Sequence, residues 1–247
     1  MRLHERVHLV ASGSSGLYLT HAYDAHAFLV VGDREAVLID AGCGRDADAV
    51  LGGITRAGVD PAQVTRLLVT HAHADHCGGA AALHRRLPHL QVHASVQVAE
   101  WIERADEEAM SVDLGRRAEF YPPDFTVEAC PVGDALTDGQ VLDLGGCAVH
   151  VLATPGHAAG HLAYVVDDGI SRLLVSGDLI FWGGKVSLIA TWDCDLQALL
   201  ASVRRLEGLA VDALLPGHHN LALRDGQAHL DKAHRLITAG FVPPSIV

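Results

Sequence analysis

Six consecutive residues, His71-Ala72-His73-Ala74-Asp75-His76, constrain this chain more than any other stretch. Three imidazoles and a carboxylate in six positions crowd together more metal-ligand atoms than packing requires. The preceding run, Val64 to Thr70, is β-branched and apolar and reads as a buried strand. The residues after it, Asp75 to Leu87, read as a helix with an acid near its start and alanine-rich turns. The polar groups therefore lie where a strand ends and a helix begins, the place where open α/β sheets bind ligands. In an extended segment His71 and His73 point to one side, because side chains alternate with period two. The turn into the helix swings Asp75 and His76 toward a neighbouring point, so the local pattern predicts two adjacent metal positions.

Elsewhere short apolar runs alternate with helical patterns. Strands are expected at 7–11, 27–31 and 36–39, the last two flanking Gly32-Asp33-Arg34 as a hairpin, with a helix over 46–57 stopped by Gly58-Val59-Asp60-Pro61. A short strand at 90–93 and a helix from Ser95 follow the histidine-rich junction. Residues 104–125 are irregular and charged, and read as an insertion over one end of the sheet that shapes a pocket. Strand patterns return through Ala153, at 162–166, at 173–175 and at 213–215, with a helix capped by Asp195 and a closing helix over 227–239. His26, with a hairpin ending in Asp40-Ala41-Gly42, is faintly echoed by His161, with a hairpin ending in Ser176-Gly177-Asp178. No composition break divides the chain, and a single domain over 1–247 is expected.

Composition narrows the function classes. A hydrophobic fraction of 49% and a charged fraction of 19% suit a globular enzyme. The net charge of −12 argues against a nucleic-acid partner, since phosphate binding needs a basic surface. Five cysteines, odd in number and without a Cys-x-x-Cys pair, argue against a disulfide framework. With no signal-peptide pattern and no apolar run of about 20 residues, the expectation is a cytoplasmic protein that does not span a membrane.

Three further turns after apolar strands carry His or Asp among small residues: His157 in Thr-Pro-Gly-His, Asp178 in Ser-Gly-Asp, and His218 in Pro-Gly-His. With His71, His73, Asp75 and His76 they make seven donors, too many for one tetrahedral ion. One shared carboxylate would give each of two ions four protein donors. Nitrogen and oxygen ligation without thiolate suits zinc, and iron or manganese tolerate the same set. Two ions about 3.5–4 Å apart can generate hydroxide at neutral pH and polarise a carbonyl or phosphoryl oxygen.

Taken in order, the His-x-His-x-Asp-His run, the Thr-Pro-Gly-His turn, the Ser-Gly-Asp turn and the late Pro-Gly-His resemble the metallo-β-lactamase superfamily over nearly the whole chain. The resemblance implies an α/β fold of the αββα four-layer sandwich type. It implies that His71, His73 and His157 hold one ion and that Asp75, His76 and His218 hold the other. Asp178 would bridge them, and Asp75 would also orient the nucleophilic hydroxide, the catalytic role. Asp40 resembles the family's aspartate that fixes a histidine tautomer, and His161 is either a similar support or a turn residue. His219 is expected to point away from the site, and Cys77 is given no role.

The family hosts many reactions. The ligand set resembles that of glyoxalase II and the lactonases. Only 29 residues follow His218, too few for the helical domain with which glyoxalase II binds its glutathione thioester. Lactonases of this fold usually carry a tyrosine three positions after the bridging aspartate, where this chain has Phe181. Class-B β-lactamases lack a bridging aspartate at the position of Asp178, and the family's nucleases carry an RNA-binding arm or domain not visible here. The expectation is a binuclear hydrolase of a small-molecule ester, thioester or lactone, with Phe181, Trp182 and Lys185 as candidate substrate contacts and a homodimer as a possible assembly. The alternative of another class is a mononuclear non-haem iron dioxygenase acting on a persulfide.

Overall fold

The computed structural model describes all 247 residues. Its first sheet runs in the order β1 (Val7–Ala11), β2 (Ala27–Val31), β3 (Ala36–Ile39), β4 (Val64–Leu68) and β5 (Gln91–His93). β1, β2 and β3 are antiparallel neighbours, whereas β3, β4 and β5 are parallel. The second sheet contains β6 (Val141–Asp143), β7 (Ala148–Ala153), β8 (Leu162–Asp167), β9 (Arg172–Gly177) and β10 (Ala213–Pro216), in the order β10-β9-β8-β7-β6. Only the β9–β10 pairing is parallel there.

Period-two alternation assigns the strand side chains to layers. Phe28, Val30, Val37 and Ile39 of the first sheet meet Val149, Val151, Tyr164, Val166 and Val175 of the second in the central core. The intervening residues face outward. Leu29, Leu38 and Leu67 pack under α1 (Ala47–Arg56), α3 (Ala80–Arg86) and α4 (Val96–Arg104), and a short α5 (Val112–Arg117) follows. Val165, Leu174 and Leu214 pack under α6 (Leu196–Arg205) and α7 (Gly226–Thr238). Strands buried on both faces read as continuous apolar runs, and the layers form the expected αββα sandwich. Local signals agree: Asp46 caps α1 by accepting from Ala49 N–H, and Asp195 caps α6 by accepting from Gln197 and Ala198. No helix is long and apolar enough to cross a membrane.

The faint sequence echo has a structural counterpart. Hairpin β2–β3 leads through α1 to the parallel strand β4, and hairpin β8–β9 leads through α6 to the parallel strand β10.

One expected element differs. The helix read over 75–87 is two helices, α2 (Ala74–Cys77) and α3, separated at Gly78-Gly79. The Asp75 carbonyl accepts from Ala25 N–H and the His76 carbonyl from Ala41 N–H, while Gly79 N–H donates to Gly42. A Cβ on Gly79 would fall on the Ala41 carbonyl oxygen, so only glycine admits this approach. The loops after β1 and β3 thus take hydrogen bonds that would have continued the helix, and in doing so fix the backbones of Asp75 and His76.

A candidate binuclear metal centre beneath an apolar cavity

The loops following β4, β7, β9 and β10 bring the seven expected donors together, six of them almost wholly buried. His71 Nε2 and His157 Nε2 each lie 3.0 Å from His73 Nδ1. Beside them, His218 Nε2 lies 3.0 Å from Asp75 Oδ2 and 3.3 Å from His76 Nε2. Asp178 stands between the groups, with Oδ1 3.4 Å from His76 Nε2 and Oδ2 3.5 Å from His218 Nε2 and 3.7 Å from His157 Nε2. His71, His73 and His157 form one set of atoms close enough to hold a cation, and Asp75, His76 and His218 form another.

The supports around the donors settle which ring nitrogens face inward. Asp40, at a left-handed φ of 62°, accepts from Thr70 N–H and the Thr70 hydroxyl, each at 2.8 Å. It also lies 2.8 Å from His76 Nδ1, so that this N–H donates to Asp40 and Nε2 faces the centre, where burial is outweighed by Asp178, Asp75 and Asp40, which raise the pKa of the metal-free ring well above the ordinary imidazole value. The Ser187 carbonyl likewise accepts from His157 Nδ1 at 3.2 Å. His161 lies among the donors: its Nε2 accepts from Asp178 N–H at 3.2 Å, its Nδ1 faces the Thr154 hydroxyl at 2.9 Å, and its ring packs beside His71.

Charge fits a cation. Burial lowers the pKa of His73 and His157 to about 4 and holds His71 well below the ordinary imidazole value, so all three are neutral. Burial alone would raise Asp75 and Asp178, but the neighbouring His76 and His218 outweigh it and keep both carboxyls below the usual range. Converging lone pairs about 3 Å apart cannot all be satisfied by each other's protons, and roughly 3.3 Å is the spacing of tetrahedral ligands at zinc–nitrogen distances. Asp178 Oδ1 is buried without a hydrogen-bond partner. These residues fit divalent cations. No thiol takes part: the Cys77 S–H donates to the Ala72 carbonyl.

Over the centre opens a cavity of about 460 Å³ that His73, Asp75, His157, Asp178 and His218 line from below. Met110, Leu114 and Phe120 of the 104–125 segment form one wall, and Ile189 and Ile246 contribute to the rest. The 104–125 segment is tied to the stretch that carries Ile189 through Trp192, whose indole N–H donates to the Ala109 carbonyl and whose ring meets Trp101 edge-on. No lysine or arginine lines this cavity.

Two groups of side chains lie elsewhere than expected relative to the cavity, and one contact is not among those expected. Phe181, Trp182 and Lys185 do not line the cavity over the histidines. They line an adjoining hollow, because the chain turns back at Gly183-Gly184 onto α7, where Trp182 lies against His229. His219, expected to point elsewhere, lines the cavity, and its left-handed φ of 62° accounts for the turn of its side chain. Tyr121, which has no role in the sequence reading of the 104–125 segment, donates its hydroxyl to Asp75 Oδ1 at 2.9 Å. Nothing near Tyr121 in sequence announces a partner so distant.

The buried histidines set a pH dependence for the metal-free fold. His26, whose Nε2 faces the His219 carbonyl, is lowered by burial to about 4, as are His73 and His157. Between pH 6.5 and 4 the unfolded chain binds more protons at these positions than the folded one, so stability falls on acidification. Each group takes up its proton more readily on unfolding throughout that window, so the three effects act in the same direction. The urea midpoint of chelator-treated protein is expected to drop steadily from pH 6.5 to 4.5, and a flat profile would contradict the burial of neutral imidazoles.

Known proteins resemble this chain in sequence and in fold. The sequence profile of the Metallo-beta-lactamase superfamily matches residues 22–218. A hydroxyacylglutathione hydrolase of Dechloromonas aromatica is 30% identical over 188 residues, covering 75% of this chain and 55% of that protein. A bovine (Bos taurus) acyl-coenzyme A thioesterase is 31% identical over 214 residues, covering 79% and 73%. The chain thus spans little more than half the length of the first relative. BJP-1, a subclass B3 metallo-beta-lactamase of Bradyrhizobium japonicum, superposes with a TM-score of 0.71 at 17% identity, over 97% of this chain and 91% of that one. With the matched span enclosing every donor from His71 to His218 and the four layers in place around them, the chain belongs to the metallo-beta-lactamase superfamily.

Proposed function

We propose that the protein is a binuclear zinc hydrolase that cleaves a small-molecule thioester, ester or lactone with an uncharged, apolar acyl part. One observation carries this reading: two donor sets lie on either side of Asp178, whose oxygens face nitrogens of both, at the floor of an apolar cavity. His71, His73 and His157 would hold one ion, Asp75, His76 and His218 the other, and Asp178 would belong to both. Bound there, divalent cations lower the pKa of water and polarise an acyl oxygen.

The chain's own residues do the rest. Asp75, a carboxylate at neutral pH, would present Oδ2 as a hydrogen-bond acceptor that orients the attacking water. Asp40 and the Ser187 carbonyl hold His76 and His157 in the tautomers that present Nε2. The apolar walls exclude bulk water and favour an acyl group over a charged one. The absence of a lining cation supports placing any charged leaving-group arm outside, toward the adjoining hollow that contains Lys185. The names of the thioesterase relatives support the thioester as the first substrate to try.

The test is metal analysis of protein purified without chelator, followed by a screen of acyl thioesters, lactones and aryl esters with the zinc-loaded enzyme. Two zinc per chain and turnover of an uncharged acyl substrate are expected. One iron per chain with sulfite formed from a persulfide would replace this reading with the dioxygenase.

A further inference from the structure

Tyr121 reaches the centre from the 104–125 segment, 46 residues from its partner in sequence. Its hydroxyl makes two bonds to one residue, donating to Asp75 Oδ1 at 2.9 Å and accepting from Asp75 N–H at 3.1 Å. That N–H is in the first turn of α2, where backbone donors have no partner within the helix. The ring is fixed on several sides. It stacks on Phe125 at 4.3 Å between centroids and 11° between planes, meets Phe120 and Tyr23 edge-on, and lies over Gly115, where a Cβ would collide with it.

A carboxylate turns freely about its last torsion, which is broad and nearly two-fold. No hydrogen-bond donor other than Tyr121 meets Asp75 Oδ1. With Oδ1 held, Oδ2 faces His218 Nε2 and the cavity.

We propose that Tyr121 is a positioning residue for Asp75, its hydroxyl fixing the carboxylate rotation that aims Oδ2 at His218 and the cavity. This rests on the reading of Asp75, His76 and His218 as ligands. The segment that forms the acyl wall thereby also sets the geometry of one metal position. An aromatic that only filled the core would not need its hydroxyl.

Tyr121→Phe keeps the ring and removes the hydroxyl. Zinc affinity is measured by competition with a chromophoric chelator, alongside steady-state kinetics and the thermal midpoint of the zinc-free protein. Expected is a loss of about 10–100-fold in affinity at one of two zinc positions, with the other unchanged. A comparable fall in kcat with little change in KM, and a midpoint within a few degrees of the parent, should accompany it. Phe125→Leu, which disturbs the stacking and keeps the hydroxyl, should lower the midpoint and retain both zinc affinities. Parental zinc affinities and kcat in Tyr121→Phe would overturn the proposal, as would an equal loss of zinc affinity in Phe125→Leu. A parent that binds fewer than two zinc ions would instead overturn the ligand reading beneath it.

Discussion

Asp178→Ala is expected to bind at least one metal equivalent fewer than the parent and to lose about three orders of magnitude in kcat/KM, or about 4 kcal/mol of transition-state stabilisation. The size follows from its position. Its two oxygens face nitrogens of both donor sets, so a single truncation takes a donor from each. The fold should persist. Oδ1 has no hydrogen-bond partner, and the backbone N–H at 178 remains held by His161. Metal content by atomic emission, kinetics and far-ultraviolet circular dichroism together check the outcome. Parental turnover in a variant of parental fold would remove the bridge from the account.

Gly217→Ala should be nearly as damaging, although it removes no donor. A Cβ at 217 would fall on Asp178 Oδ1 and press against the His76 ring. Neither neighbour is the loose end of a flexible chain: His76 is tied to Asp40, and Asp178 is set by its backbone bond to His161. One methyl group therefore displaces a donor of one set together with the carboxylate common to both. Metal affinity and kcat should each fall by about 100-fold, on the scale at which supporting contacts act on metal sites. Retained zinc stoichiometry at parental affinity would show that the loop yields more readily than its contacts indicate.

Much of this architecture is legible in the amino-acid sequence, for identifiable reasons. Strands β1, β2 and β3 occupy the positions expected of them, because short β-branched runs bounded by Gly, Asp and Arg leave little room for another assignment. The seven donors are visible because each follows an apolar strand in a turn of small residues, and strands buried side by side bring such turns to one edge. What is missed depends on contacts distant in sequence. The break between α2 and α3 is made by Ala25, Ala41 and Gly42, residues outside any helical window. Trp182 follows Asp178 closely, yet the turn at Gly183-Gly184 lays it against His229 of α7. Tyr121 carries no local pattern at all, and only the fold of the 104–125 segment discloses its partner.

The donors are divided between the two halves of the sandwich. His71, His73, Asp75 and His76 follow a strand of the first sheet, and His157, Asp178 and His218 follow strands of the second. A cation gripped from both sides works as a removable clasp across the seam, in the way a cross-link would, but with a strength set by mass action. The cohesion of the two halves then grows with the logarithm of free ion concentration over the dissociation constant. Were the proposed ions bound there, their cellular supply would in that way govern how long the folded chain survives.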